Sequence, residues 1–211
     1  MEREEAALAA ETQQEQDAET AGEPGKGKNE DEVKEHEPPA DNRVYKTREY
    51  WEARFAREEA YEWLADYGVV AHLLEPVLAA GKKEGNDAIR VLVVGCGNSG
   101  FSDSLAQGGS EDDGDVQVAR QVTSIDFSET VILSMRARYP DLTWETMDMR
   151  SLSGFADASF DFVVDKAAMD ALVTDEGDPW NPNEETRKDT AAMMDAVTRV
   201  LVPGGMEDGT P

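Results

Sequence analysis

Residues 89–100 read Ile-Arg-Val-Leu-Val-Val-Gly-Cys-Gly-Asn-Ser-Gly, and this stretch decides the fold. A short, mostly β-branched apolar run without polar alternation is the pattern of a strand buried on both faces of a sheet. It runs straight into a Gly-x-Gly-x-x-Gly turn at Gly95, Gly97 and Gly100. Glycine permits the sharp turn and lets a ligand approach the main chain. The pattern predicts an adenine nucleoside cofactor at the carboxyl end of a first parallel strand. Nicotinamide dehydrogenases carry the same spacing, so the residues beyond the turn decide between the two.

Outward from this turn the chain alternates strands and helices. A short helix is expected from Asn98 to Gln107, with its N-terminus toward the cofactor. The polar run Gly108–Asp115 is expected to be a surface loop. A second strand, 118–125, ends in Asp126-Phe127-Ser128, where Ser128 caps a helix reaching Arg138. A third strand, 142–146, leads to Met147-Asp148-Met149. A fourth lies in Ser159–Asp165, followed by a helix or loop over 166–172. Glu184–Leu201 is an amphipathic helix with Ala192, Met193, Ala196, Val197 and Val200 toward the sheet. Before the glycine turn, a helix around Trp51 and Phe55 places those rings one turn apart. A further helix, 65–80, is expected to bury Val69, Val70, Leu73, Leu74 and Leu78. This rhythm predicts an α/β fold, a parallel Rossmann-like sheet with helices on both faces. Ligands in such sheets bind beyond the carboxyl ends of the strands, where Gly95, Asp126, Asp148 and Asp165 converge.

Composition narrows the function. The 211 residues carry a formal charge of −26, which repels phosphate backbones and disfavours nucleic acid as a partner. A basic protein partner or a cationic ligand suits that field, and solubility alone is the plainer explanation. The single cysteine, Cys96, permits no internal disulfide. No stretch approaches the roughly 20 apolar residues of a membrane span. The acidic start resembles neither a secretory signal nor a transit peptide, so a cytoplasmic location is expected. His36 and His72 stand far apart, and no Cys/His cluster has metal spacing. Residues 1–41 contain no aromatic residue and are expected to be a disordered acidic tail. Residues 42–205 would form the domain, and 206–211 a short polar tail.

The strand ends suggest specific chemistry. An acid ending the second strand accepts the ribose hydroxyls of a nucleoside, which assigns that role to Asp126. Asp148 is placed to take the adenine amino group, with the Met149 backbone beside it. Phe127 either stacks on the nucleoside or packs in the core. The polar residues after the glycine turn and the acids around it suit a cationic sulfonium better than a diphosphate. That favours S-adenosylmethionine over a dinucleotide.

Five segments in order, Val-Leu-Val-Val-Gly-Cys-Gly-Asn-Ser, Thr-Ser-Ile-Asp-Phe-Ser, Leu-Thr-Trp-Glu-Thr-Met-Asp-Met-Arg, Ser-Phe-Asp-Phe-Val-Val-Asp-Lys and Arg-Val-Leu-Val-Pro-Gly-Gly, resemble a class I S-adenosylmethionine-dependent methyltransferase. Tyr50-Trp51-x-x-Arg54-Phe55, Trp144-Glu-Thr-Met-Asp148 and Asp178-Pro179-Trp180 are similar to the methyltransferase-like 13 group, and within it to the enzymes that methylate lysines of translation elongation factor 1-alpha. The resemblance spans residues 43–205. It implies a cofactor site lined by Trp51, Phe55, Trp63, Gly95, Gly97, Asp126, Phe127, Asp148, Met149 and Lys166. It leaves Arg54 either on the methionine carboxylate or in a surface ion pair, and Trp180 either on the substrate rim or in the core. Asp165 and Asp170 become candidate guides for an incoming lysine, with no general base assigned. The chain has Phe55 where the family usually has Tyr, and Ala167-Ala168 where the family has Gly-Thr.

The resemblance implies methyl transfer to a lysine of a basic protein, elongation factor 1-alpha. The alternatives are a small-molecule methyltransferase of the same fold and a cofactor-binding module without activity. Pro203-Gly204-Gly205 normally leads into a fifth strand, yet only Met-Glu-Asp-Gly-Thr-Pro comes after it. The expectation from sequence is therefore a truncated sheet lacking strands five to seven, with little activity by itself.

Overall fold

The structure, a computed structural model, describes residues 38–81, 88–108, 119–174 and 180–203. Most of the acidic tail, most of the Gly108–Asp115 loop, Asp178-Pro179, Gly204-Gly205 and residues 206–211 lie outside the described residues. A 3-10 turn at Asn42–Lys46 precedes α1 (Arg48–Phe55) and α2 (Tyr67–Ala80). Next come β1 (Ile89–Val94), α3 (Phe101–Gln107), β2 (Arg120–Asp126), α4 (Glu129–Arg138), β3 (Thr143–Thr146), β4 (Phe162–Asp165), α5 (Ala168–Leu172) and α6 (Glu184–Val200).

The four strands form one parallel sheet in the order β3-β2-β1-β4. The chain moves outward from β1 to β3, then crosses back to place β4 on the other side of β1. That reversal is the switch point where such sheets bind ligands. The register pairs Val94 with Ile125 on one side and with Asp165 on the other. Ile125 in turn pairs with Glu145. The strand ends are therefore flush, and the turns after them open onto one edge.

Strand β1 explains the two-layer core. Ile89, Val91 and Val93 pack into one layer with Tyr67, Leu78, Phe101, Leu105 and Ile132. Leu92 and Val94 point into the other, with Ile125, Leu172, Met193 and Val200. Alternate side chains leave a strand on opposite faces, so a run apolar at successive positions must be covered twice. Arg90, the one polar residue of β1, donates to Asp161 at 2.9 and 3.1 Å and anchors β4 alongside.

The predicted elements hold, with local shifts. Helix α3 starts at Phe101 rather than Asn98, because the glycine turn consumes the intervening residues. Strand β4 starts at Phe162, three residues later than expected. Phe160 instead bridges to Leu201, with Val202 N–H donating to the Phe160 carbonyl at 2.8 Å. The buried face of α2 is corrected. Tyr67, Val70, Ala71, Leu74 and Leu78 face the core, whereas Val69 and Leu73 are 60% and 62% exposed. The cause is Tyr67, whose hydroxyl accepts from buried Arg120 at 2.9 Å and fixes the rotation of the helix. The hydroxyl of Tyr67 and the guanidinium of Arg120 both reach the Glu75 carboxylate.

Gly95 and Gly97 have φ of +56° and +55°, the left-handed region that side chains disfavour. They differ in surroundings. A Cβ on Gly95 would lie 2.4 Å from Ala168 Cβ, whereas one on Gly97 would meet Phe55 at an ordinary 3.7 Å. Gly95→Ala is expected to destabilise the fold by about 2–4 kcal/mol, combining backbone strain with overpacking. Gly97→Ala carries the strain alone, about 1–2 kcal/mol. Urea unfolding reads both, and adding Ala168→Gly should recover part of the Gly95 loss only. Equal losses at the two positions would contradict the packing argument.

Candidate active site

The open edge of the sheet borders a cleft of about 300 Å³. Its floor is the glycine turn. One side carries Asp126, Phe127, Asp148 and Met149, another Lys166, Ala168 and Asp170, and the roof Trp51, Phe55, Trp63 and their neighbours Tyr45 and Tyr61. All ten residues expected to contact a cofactor thus line one cavity. A volume of this size lies at the lower end for small-molecule sites.

Asp126 is the most informative of them. It is 5% exposed. One carboxylate oxygen accepts from Gly97 N–H at 3.0 Å and the other from Ser128 N–H at 2.9 Å. The side chain thereby ties the glycine turn to the start of α4, where Ser128 caps Val131 N–H at 3.3 Å. Sequence reasoning gave Asp126 to the ribose hydroxyls alone. The geometry gives it an internal task first, leaving the remaining lone pairs for the cleft. Burial pushes its pKa up to about 6, against the opposing amides of Ser128 and Gly97 and with some help from the Glu52 charge.

Asp148 is likewise committed. Arg150 grips it with Nε at 3.1 Å and an Nη at 2.7 Å, and reaches Asp189 of α6 at 2.9 Å. Burial opposes ionisation of Asp148, yet the Arg150 hydrogen bonds hold its pKa below the usual range. Phe127 presents its ring to the cleft, with the Arg48 guanidinium 5.5 Å from its centroid. Lys166 lines the cleft, but its ammonium is engaged by the Glu62 carboxylate and by the Trp63 carbonyl at 2.8 Å.

The roof is an aromatic cluster built around a buried cation. Trp51 stacks on Phe55 at 5.4 Å, and Trp63 meets Trp51, Tyr45 and Tyr61 edge-on at 6.0, 6.1 and 5.1 Å. The Arg54 guanidinium lies 4.8 Å from the Trp63 centroid and 4.9 Å from that of Tyr61. It forms a two-pronged pair with Glu58 at 2.7 and 3.0 Å. Arg54 is therefore an internal brace in a buried ion pair, neither a surface pair nor part of the cleft lining. Its place beneath the rings, rather than in the cleft, is the reason. Glu52, on the same helix, accepts from the amides of Glu129 and Thr130 at 3.0 and 3.3 Å, and so docks α1 onto the N-terminus of α4.

The two candidate lysine guides separate. Asp165 accepts from Ala168 N–H at 2.8 Å and Met169 N–H at 3.1 Å, so its carboxylate is spent on the first-turn amides of α5. Asp170 is exposed and lines the cleft. Trp180 is 93% exposed, which corrects the expectation that it packs in the core, and it is not among the residues lining the cleft.

The sequence pattern gave no role to Asn98. Its side chain is buried, its Nδ2 donates to the Glu58 carbonyl at 3.0 Å, and its Oδ1 has no partner. An unpaired buried acceptor in a cleft wall is the counterpart of a ligand donor. Leu64 and Ala167 were also missed as strained positions. Both line the cleft with φ of +63° and +70°. Such conformations collect at functional sites. Ala167 stands where the related motif has Gly, so that departure was the available signal.

A parallel sheet of this order, with a glycine turn after β1 and an acid closing β2, defines a Rossmann-like nucleoside-binding domain. Residues 92–206 match the family described as a methyltransferase domain. The chain belongs to that family. It is 41% identical over 175 residues to EEF1A lysine methyltransferase 4 of Bos taurus, covering 80% of this chain and 62% of that protein. It is 34% identical over 173 residues to the eEF1A lysine and N-terminal methyltransferase of Homo sapiens, covering 79% of this chain and 22% of that one. The chain thus spans less than two thirds of the length of these relatives. Among solved structures, magnesium protoporphyrin IX methyltransferase from Synechocystis aligns at 17% identity, covering 77% of this chain and 74% of that one, with a TM-score of 0.39.

Because Asp126 binds a proton in the folded state near pH 4–6 that the unfolded chain has released, its contribution to stability falls as pH rises from the unfolded value of 3.8 through about 6. Asp126→Asn lacks this titration. The stability difference between wild type and variant should move in favour of the variant by about 2–2.5 kcal/mol between pH 4 and pH 7. Denaturant unfolding across that range measures it, and a constant difference would show that burial does not perturb the carboxyl.

Proposed function

We propose that this chain is an S-adenosylmethionine-dependent protein-lysine methyltransferase acting on translation elongation factor 1-alpha in the cytoplasm. The observation that carries the reading is the joint cleft. The strand-end turns and the aromatic roof meet around one cavity, in a chain 41% identical to EEF1A lysine methyltransferase 4 of Bos taurus over 175 residues.

The residues present fit the cofactor. The glycine turn leaves room for close approach of a nucleoside. Phe127 offers a ring face, and Asp126 spare acceptor capacity toward hydroxyls. The orphaned Asn98 Oδ1 suits the α-ammonium of a methionine moiety, and the aromatic roof suits a sulfonium. When bound, S-adenosylmethionine supplies a methyl group on a positively charged sulfur.

The chain's own residues supply alignment, exclusion of water and charge. A lysine ammonium has a pKa of about 10.4 in water and attacks only after losing its proton. Desolvation of the amine on entering the cleft disfavours the charged form and so promotes that loss, with the proton passing to solvent. Asp170, exposed at the mouth, attracts the cation before it enters. The charge of −26 favours encounter with a basic protein and disfavours nucleic acid.

Incubation of the 211-residue chain with methyl-labelled S-adenosylmethionine and purified elongation factor 1-alpha tests the reading. The expected outcome is weak label in that protein, recovered as methyllysine after hydrolysis. Asn98→Ala should lower cofactor affinity by about 1–2 kcal/mol in calorimetry. Cofactor binding without transfer to the protein would contradict the substrate assignment, and absence of binding would contradict the cofactor.

A further inference from the structure

Residues 56–66 link α1 to α2 without regular helix or strand. Tyr61, Trp63 and Leu64 of this segment line the cleft. Its own backbone contributes little cohesion. Beyond the amides of Ala56, Arg57 and Glu58, which close the end of α1, the internal bond is Ala65 N–H to the Trp63 carbonyl at 2.8 Å. The segment is held instead by side chains from elsewhere. Asn98 donates to the Glu58 carbonyl at 3.0 Å, and Arg138 to that of Glu59 at 2.8 Å. Lys166 donates to the Trp63 carbonyl at 2.8 Å.

Glu62 stands apart from these contacts because it reaches two elements with one carboxylate. Ser99 Oγ, just after the glycine turn, lies 2.8 and 2.7 Å from its two oxygens. Lys166, just after β4, pairs with the same group. The three residues come from the segment, the floor and the far wall of the cleft. Ser99 also accepts from Phe101 N–H at 2.9 Å, so the bond to Glu62 continues into the first turn of α3. Leu64, two residues on, keeps its left-handed φ of +63° while 79% exposed. A strained, exposed residue persists where its neighbours are held from outside.

We propose that residues 56–66 are a strap that closes over the cleft, and that Glu62 is the positioning residue that holds it shut by joining Ser99 to Lys166. Opening breaks polar contacts at the mouth and the packing of Tyr61 and Trp63 against Arg54, Tyr45 and Trp51, and leaves both layers of the core intact. Segments held this way open at low cost compared with global unfolding. A ligand as large as a nucleoside enters and leaves when the strap is open, and the aromatic wall is complete when it is shut. The inference rests on the cofactor reading for its ligand, but not for the strap itself.

The experiment therefore has two arms, both on the full chain. Amide hydrogen exchange needs no ligand. In Glu62→Ala, exchange across residues 58–66 should accelerate at least tenfold, while α6 is unchanged. Glu62→Gln keeps an acceptor for Ser99 but loses the charge for Lys166, and should fall between. In the second arm, stopped-flow tryptophan fluorescence follows S-adenosylhomocysteine. Glu62→Ala should raise its association and dissociation rates together, at least fivefold, because one opening step limits both. A residue that merely shaped the site would change dissociation alone. Unchanged exchange in residues 58–66, or faster dissociation without faster association, would overturn the proposal. Failure of the wild-type chain to bind S-adenosylhomocysteine, with exchange behaving as expected, would remove the cofactor reading and leave the strap supported.

Discussion

The structure depends on one buried carboxylate. Asp126 ends β2 beneath the glycine turn, and its two oxygens hold the amides of Gly97 and Ser128. Those amides belong to the two loops that frame the cleft, one leaving β1 and the other entering α4. A buried charge is costly unless it is hydrogen-bonded, and a pKa displaced upward to about 6 is the sign of that cost. The cost is borne where two loops must keep a fixed relation. Without the carboxylate, two amides would be left unpaired in the interior.

The second constraint is the N-terminal roof, which has no counterpart in the sheet. It combines an aromatic cluster with ion pairs that are inside rather than outside it. Arg54 fills the space beneath Trp51, Tyr61 and Trp63 and is neutralised by Glu58. Guanidinium planes pack well on ring faces while keeping in-plane hydrogen bonds, so a short segment gains a core of its own. Glu52 and Glu62 then fasten the roof to α4 and to the glycine turn. The roof and floor of the cleft are therefore joined by carboxylates, in a chain that has a large excess of them.

Much of this was legible in the residues alone. The unalternated run at Ile89–Val94 and the turn after it located the site, because a parallel strand covered on both faces has a characteristic composition. Ser128 announced α4 through its capping chemistry, and that cap forms. The rotation of α2 was not legible. Val69, Val70, Leu73 and Leu74 give two overlapping apolar stripes, and the choice between them is made by Tyr67 through Arg120, a contact 53 residues away. The roles of Arg54, Asp148 and Asp165 were hidden for a related reason. Residue type names the charge a side chain offers, while its partner depends on what the fold brings near. Ala167 was legible in retrospect, as an alanine in a left-handed position where the family motif has glycine.

The central claim is that one cleft, with the strand ends as its floor and the aromatic segment as its roof, holds the cofactor. Titration of the isotope-labelled chain with S-adenosylhomocysteine, followed by amide and indole resonances, tests it most directly. The account predicts saturable shifts concentrated at Gly95, Gly97, Asn98, Phe127 and Met149, together with the indole groups of Trp51 and Trp63. Shifts confined to the sheet turns with both indoles unmoved, or shifts centred away from the strand ends, would contradict it.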